Sequence, residues 1–127
     1  NGADWIDSNG DVVSNSILSV PNSLLHKYAI CSDTSFCESL IEKIKGVDLL
    51  YHETTFMKDL HERAQQTGHS TTVQAATIAK KAKVKQLLIG HYSQRYKNLD
   101  CLLEESRQIF VDSFLSSAGL LVDFKKI

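Results

Sequence analysis

Val47-Asp48-Leu49-Leu50-Tyr51-His52-Glu53-Thr54-Thr55 is the stretch on which the fold turns. Its first five residues read as a buried strand, and a group of polar residues follows at once. Two other segments repeat the arrangement. Tyr28-Ala29-Ile30-Cys31 runs into Ser32-Asp33-Thr34, and Gln86-Leu87-Leu88-Ile89 runs into Gly90-His91-Tyr92-Ser93. Helical spacing fills the intervals. Phe36, Leu40, Ile41 and Ile44 recur along one face before Gly46, and residues 57–66 form a helix that stops at Gly68. Ser70 or Thr71 caps a further helix with the stripe Ala75, Ile78, Ala79 and Ala82. Residues 99–110 predict another helix, and Leu120-Leu121-Val122-Asp123-Phe124 a last strand. Strands alternating with helices predict an α/β fold, with the helices on one face of a mainly parallel sheet.

The amino-terminal residues differ. Trp5-Ile6-Asp7 and Asp11-Val12-Val13 flank Ser8-Asn9-Gly10, a hairpin signal, and residues 14–26, with the only proline, Pro21, read as a connector. The expected organisation is therefore a hairpin and connector over 1–26 and one layered unit over 27–127. A chain of 127 residues supports one core. The apolar share of 43% and charged share of 23% are ordinary for a globular protein. There is no apolar run long enough to span a membrane and no signal-like start. Met57 is the only methionine, so Asn1 is not expected to be the natural start, and the chain reads as a piece of a longer protein. A net charge of −1 is not the footprint of a basic nucleic-acid-binding module. Cys31, Cys37 and Cys101 form no CxxC pair, which fits free thiols in a reducing, cytoplasmic setting.

In open α/β sheets the working site lies at the carboxyl ends of the strands. Asp33, His52, Glu53 and His91 are thereby candidates to meet in space. Carboxylate plus imidazole is a ligand set for Zn²⁺ or Mn²⁺; a carboxylate bridges two ions and an imidazole binds one. Asp33 is the natural bridge and His91 a terminal ligand. The plainer alternatives are a helix cap for Asp33 and a satisfied loop histidine for His91. His52 and Glu53 are neighbours on a strand and point to opposite sides. Gly68-His69-Ser70-Thr71-Thr72 opens a helix, where free N–H groups suit a phosphate. His61 reads as part of a solvated charged helix, His26 has no assigned role, and the lysines from Lys80 to Lys85 read as a solvated helix end.

Taken in order, Ser32-Asp33-Thr34, His52-Glu53-Thr54-Thr55-Phe56, Gly68-His69-Ser70-Thr71 and Gly90-His91-Tyr92-Ser93-Gln94-Arg95-Tyr96 resemble the carboxyl-terminal signature of the ribonuclease Z family, in the metallo-β-lactamase superfamily. Thr54 departs from the alanine usual in the second block. The likeness runs from about Tyr28 to Phe110. It implies the carboxyl-terminal half of a metallo-β-lactamase αββα sandwich, belonging to a zinc endoribonuclease that removes the 3′ trailer from precursor tRNA. It implies that Asp33 and His91 are metal ligands and that His69 is catalytic without being a ligand. Glu53 would orient His69, while Ser70, Thr71 and Arg95 would contact RNA or its phosphate. It further implies two Zn²⁺ per intact site, with Mn²⁺ or Mg²⁺ as substitutes, and a homodimeric parent.

The family's His-x-His-x-Asp-His motif and the histidine ligand after it are absent, as is the basic arm that grips tRNA. The expected partner is therefore an amino-terminal half carrying that motif, and the chain by itself is expected to bind zinc weakly and to be inactive. Three other readings remain open. One is a sister hydrolase of the same fold, an arylsulfatase or cyclic-nucleotide phosphodiesterase; another is a non-catalytic half-domain. The last takes His69-Ser70 as an acyl-hydrolase pair, against which stands the lack of a Gly-x-Ser-x-Gly elbow.

Overall fold

The computed structural model describes residues 3–19 and 25–124. β1 (Trp5–Ile6) and β2 (Val12–Val13) pair antiparallel. Their loop is closed by Asp7, whose Oδ1 accepts the N–H groups of Asn9 and Asp11 at 2.8 and 3.0 Å, and Gly10 supplies the left-handed turn position at φ 89°. The segment expected to be a plain connector begins with a short helix, α1 (Asn15–Leu18), capped by the Ser14 side chain. The part of that connector at 20–24 lies outside the described residues.

The main sheet has the order β3 (Tyr28–Cys31), β4 (Leu49–Glu53), β5 (Gln86–Gly90), β6 (Ser113–Leu115), all parallel. Its register sets residues in rows. Ala29, Leu50, Leu87 and Ser113 form one row; Cys31, His52, Ile89 and Leu115 form another. Both rows face the helices, where Leu50, Leu87 and Ile89 are fully buried against Ala76, Ile78, Ala79 and Leu102. The row between them, Ile30, Tyr51, Leu88 and Phe114, points to the opposite face. Ile30 is 65% and Phe114 40% exposed there.

Of the helices, α2 (Leu40–Lys43), α4 (Thr72–Ala82) and α5 (Asp100–Arg107) pack on the buried face, with α4 between the other two. The alanine stripe of α4 lets its backbone approach the sheet closely, and burial of Ile78 contributes about 1.5–3 kcal/mol. Thr71 is the cap of α4. Its hydroxyl accepts the Gln74 N–H and its own N–H donates to the Gln74 side chain, a reciprocal pair. The preceding helix, α3 (His61–Thr67), follows a 3₁₀ turn (Lys58–Leu60) and ends at Gly68 in the left-handed conformation, φ 75°.

The carboxyl-terminal strand lies elsewhere than expected. Residues 120–124 form no strand; the fourth strand is β6, at Ser113–Leu115. Ser113 is fully buried, donating to the Phe110 carbonyl and accepting from Ser106 Oγ at 2.9 Å. That polar anchor breaks the apolar pattern by which a buried strand is recognised. Leu121, in the more apolar run, is 95% exposed. This run lines a pocket on the outward face together with Leu49, Gln86, Leu88 and Phe114, and the Phe124 ring centre comes within 5.3 Å of that of His26 and 6.3 Å of that of Tyr28. The tail thus crosses the sheet from the β6 side towards β3.

Candidate metal centre

Asp33 follows β3, Glu53 ends β4 and His91 follows β5, so parallel pairing brings three sequence-distant groups to one end of the sheet. His69 arrives from the loop between α3 and α4, which is tied to the β4 end by an isolated bridge between Phe56 and Thr71. The ligating atoms of Asp33, His69 and His91 all lie within 4.8 Å of one another, and Asp33 Oδ1 is 3.2 Å from His91 Nε2. The backbones of Asp33 (φ 46°) and His91 (φ 57°) are left-handed, a conformation that L-residues avoid and that gathers at functional sites.

Glu53 organises the cluster from below. It is fully buried, whereas the Asp33 and His91 side chains are 64% and 44% exposed. Its Oε1 accepts from His69 Nδ1 at 3.0 Å, Ser70 N–H at 2.8 Å and Thr34 N–H at 3.3 Å. Its Oε2 accepts from the Thr55 N–H at 2.9 Å and the Thr55 hydroxyl at 2.8 Å. Every partner brings a hydrogen to the carboxylate, which suits a buried acidic group.

These bonds settle the tautomers. The Thr55 hydroxyl spends its only hydrogen on Glu53, so it accepts from His91 Nδ1, 2.8 Å away. His91 therefore carries a hydrogen on Nδ1 and turns Nε2 towards Asp33. His69 likewise donates through Nδ1 to Glu53, which leaves Nε2 free of that bond, and its ring lies 5.2 Å from that of His91. Imidazoles whose far nitrogen is tethered to a hydroxyl or carboxylate, with the near lone pair aimed at a shared point, are the donor set of a metal site. Asp33, His91 and, on geometry, His69 fit a divalent ion.

Ser70 and Thr71 were candidates to hold a phosphate, but they are 0% and 1% exposed. The Ser70 N–H is spent on Glu53 and its hydroxyl on the Thr34 carbonyl at 2.6 Å; the Thr71 N–H is spent on Gln74. The Thr72 N–H donates to the Phe56 carbonyl. The N–H groups of Ser70, Thr71 and Thr72 are thus engaged inside the protein, and this helix start locks the β3 loop to α4.

Arg95 sits at the rim. Its guanidinium lies over the Phe56 ring, 5.2 Å from the centroid, and the edge of Phe56 meets His69 at 6.2 Å. The loop carrying it is pinned by the Ser93 N–H to the Thr55 carbonyl and by the Met57 N–H to Tyr96 Oη at 2.9 Å. His52 takes no part in the cluster. It lies in the helix-facing row, fully buried, with Nδ1 bonded to the Glu53 carbonyl at 2.7 Å and Nε2 without a partner among the described residues. Burial holds its imidazole below the usual histidine range, against a smaller opposing effect from Glu53. Sequence reasoning missed Thr55 as a link between Glu53 and His91; its place directly beyond Glu53 at a strand end was the available signal.

No family model matches the chain. It is similar to ribonuclease Z of Porphyromonas gingivalis, with 45% identity over 122 residues, 96% of this chain and 40% of the relative. Ribonuclease Z of Phocaeicola vulgatus is 46% identical over 127 residues, 100% of this chain and 41% of the relative. Among solved structures, the short form of human tRNase Z superposes with a TM-score of 0.62 at 26% identity, covering 89% of this chain and 36% of that one. YhfI of Bacillus subtilis, a metallo-β-lactamase fold protein, gives 0.72 at 26% identity, covering 77% and 40%. The chain spans about 40% of the length of the curated relatives it matches. Its parallel sheet, helices on one side, is part of a metallo-β-lactamase fold.

Proposed function

Since the chain belongs to the ribonuclease Z family, we propose that it is part of a metal-dependent endoribonuclease that removes the 3′ trailer of precursor tRNA by phosphodiester hydrolysis. The observation that carries this reading is the buried Glu53 carboxylate, which orients His69 directly and His91 through Thr55, aiming both imidazoles at Asp33.

Asp33 and His91 are the residues that would hold metal, Zn²⁺ by family likeness. When bound, such ions activate water and offset charge on the phosphate. His69 has the other task. Its ring is fixed through Nδ1 by Glu53, so a second proton, taken up at Nε2, can pass to the 3′ oxygen leaving the tRNA body, a general-acid role. Arg95, stacked on Phe56 beside His69, is placed to meet a phosphate oxygen.

Two or three ligands leave a hydrolytic coordination sphere incomplete. An amino-terminal half of the same protein would supply the rest, and the outward row Ile30, Tyr51, Leu88 and Phe114 supports a second layer covering this sheet. By the same likeness the intact protein is a homodimer, and the three free thiols fit the cytoplasm. Among the described residues no helix is long and apolar enough to cross a membrane.

The division of roles is tested in a full-length protein containing this chain. His69→Ala is expected to lower single-turnover cleavage of precursor tRNA about 10²–10⁴-fold with bound zinc little changed. Asp33→Ala is expected to lose zinc along with activity. Equal loss of zinc in both would make His69 a ligand and remove its role as proton donor.

A further inference from the structure

A pocket of about 410 Å³ shares His69 with the metal cluster and is otherwise lined by Ser35, Phe36, His61, Gln65 and Gln74. The roles assigned above use His69 alone of these. Its size is that of a small-molecule site, and its lining carries no lysine, arginine or carboxylate, so it suits a neutral, polar ligand.

The polar groups are arranged in defined directions. Gln74 Oε1 accepts the Thr71 N–H at 2.8 Å, which fixes Nε2 as the donor towards His61 Nδ1 at 3.3 Å. His61 therefore accepts at Nδ1 and presents its hydrogen on Nε2. The Gln65 amide makes no hydrogen bond among the described residues, so it offers both a donor and an acceptor. Phe36 is 37% exposed and its ring meets no other aromatic ring among the described residues. A free aromatic face beside directed amide and imidazole groups is the chemistry that receives a nucleobase.

We propose that this pocket holds the base of the nucleotide whose 3′ oxygen leaves, with Phe36 stacking on the base and Gln65, Gln74 and His61 reading its edge. This rests on the endoribonuclease reading. His69 links the two places: its Nε2 serves the leaving oxygen, and the same ring walls the pocket, so the ribose bearing that oxygen brings its base there.

The experiment is a two-by-two cycle on the full-length protein. Precursor tRNA with an intact or an abasic nucleotide on the 5′ side of the scissile bond is cleaved by the unsubstituted protein and by Phe36→Ala. Either change alone is expected to lower kcat/KM about tenfold, the scale of one base–aromatic stack. Combined, they should cost little more than one. Phe36→Tyr should restore most of the loss. Phe36→Ala should match the unsubstituted protein on the abasic substrate, which shows that it is folded. Multiplicative losses, or no loss with Phe36→Ala on the intact substrate, would overturn the proposal. So would coupling to an abasic nucleotide on the 3′ side instead. If the unsubstituted protein cuts no precursor tRNA, the endoribonuclease reading falls and takes the pocket with it.

Discussion

Thr55→Val isolates the link between the buried carboxylate and His91, the proposed metal ligand, because valine keeps the volume and replaces only the hydroxyl. Thr55 is 7% exposed, and its hydroxyl donates to Glu53 Oε2 at 2.8 Å while accepting from His91 Nδ1 at 2.8 Å. Glu53 keeps the N–H groups of Thr34, Thr55 and Ser70 and the His69 ring, so its charge stays compensated. Two bonds are lost, and the one to the charged carboxylate contributes about 1.5–3 kcal/mol of that cost. His91 loses the tether that fixes its tautomer and ring plane, and loss of such a partner weakens metal binding by about 10–100-fold. Urea unfolding of the metal-free protein reads the first effect, and competition with a zinc chelator reads the second. Thr55→Ser should recover both. Unchanged zinc affinity with Thr55→Val would refute the relay, whatever happens to stability.

His52 gives a pH signature. Its folded-state pKa is depressed by burial, so the native state resists the proton that the unfolded chain accepts near pH 6.5. Stability from this residue is present above pH 6.5 and is lost as pH falls towards the folded-state value; urea midpoints between pH 8 and 5 should show the decline, and His52→Leu should flatten it. Gly90→Ala tests packing, since a Cβ there would come within 2.5 Å of Tyr51 Oη and as close to Ser116. The expected cost is about 1–3 kcal/mol with a lower melting temperature, and a neutral result would mean that Tyr51 can move away freely.

Much of the fold is legible because the signals are local. The apolar runs at Tyr28, Leu49 and Gln86 are short and end in polar residues, and Gly46 and Gly68 mark where helices stop. The strand at Ser113 is not legible, because what holds it is a buried hydroxyl pair, Ser106 and Ser113, that no apolar period announces. The tail at Leu120 misleads for the converse reason: it is apolar because it lies over a sheet face, and it never joins the ladder. At the site, strand-end positions nominate Asp33, Glu53 and His91 but equally His52, which faces the helices instead, and His69 is nominated by the helix start and the family likeness rather than by a strand. They do not reveal that the N–H groups of Ser70 and Thr71 are spent inside the protein, since that depends on where Glu53 and Gln74 reach. His61 reads as a surface residue and is exposed, but its contact with Gln74 is not announced by the sequence.

Asp33 and His91 hold left-handed backbones with full side chains, each at a cost of about 1–3 kcal/mol that glycine would largely avoid. Folding and chemistry thus pull on these two positions in opposite directions. Under selection for a stable fold alone, Asp33 and His91 are among the first places where drift would be rewarded, and Asp33→Gly or His91→Gly would be accepted as improvements. On the proposed roles, a lineage that kept the scaffold but gave up metal binding should therefore lose Asp33 and His91 before its core, and glycine at these two positions would be its mark.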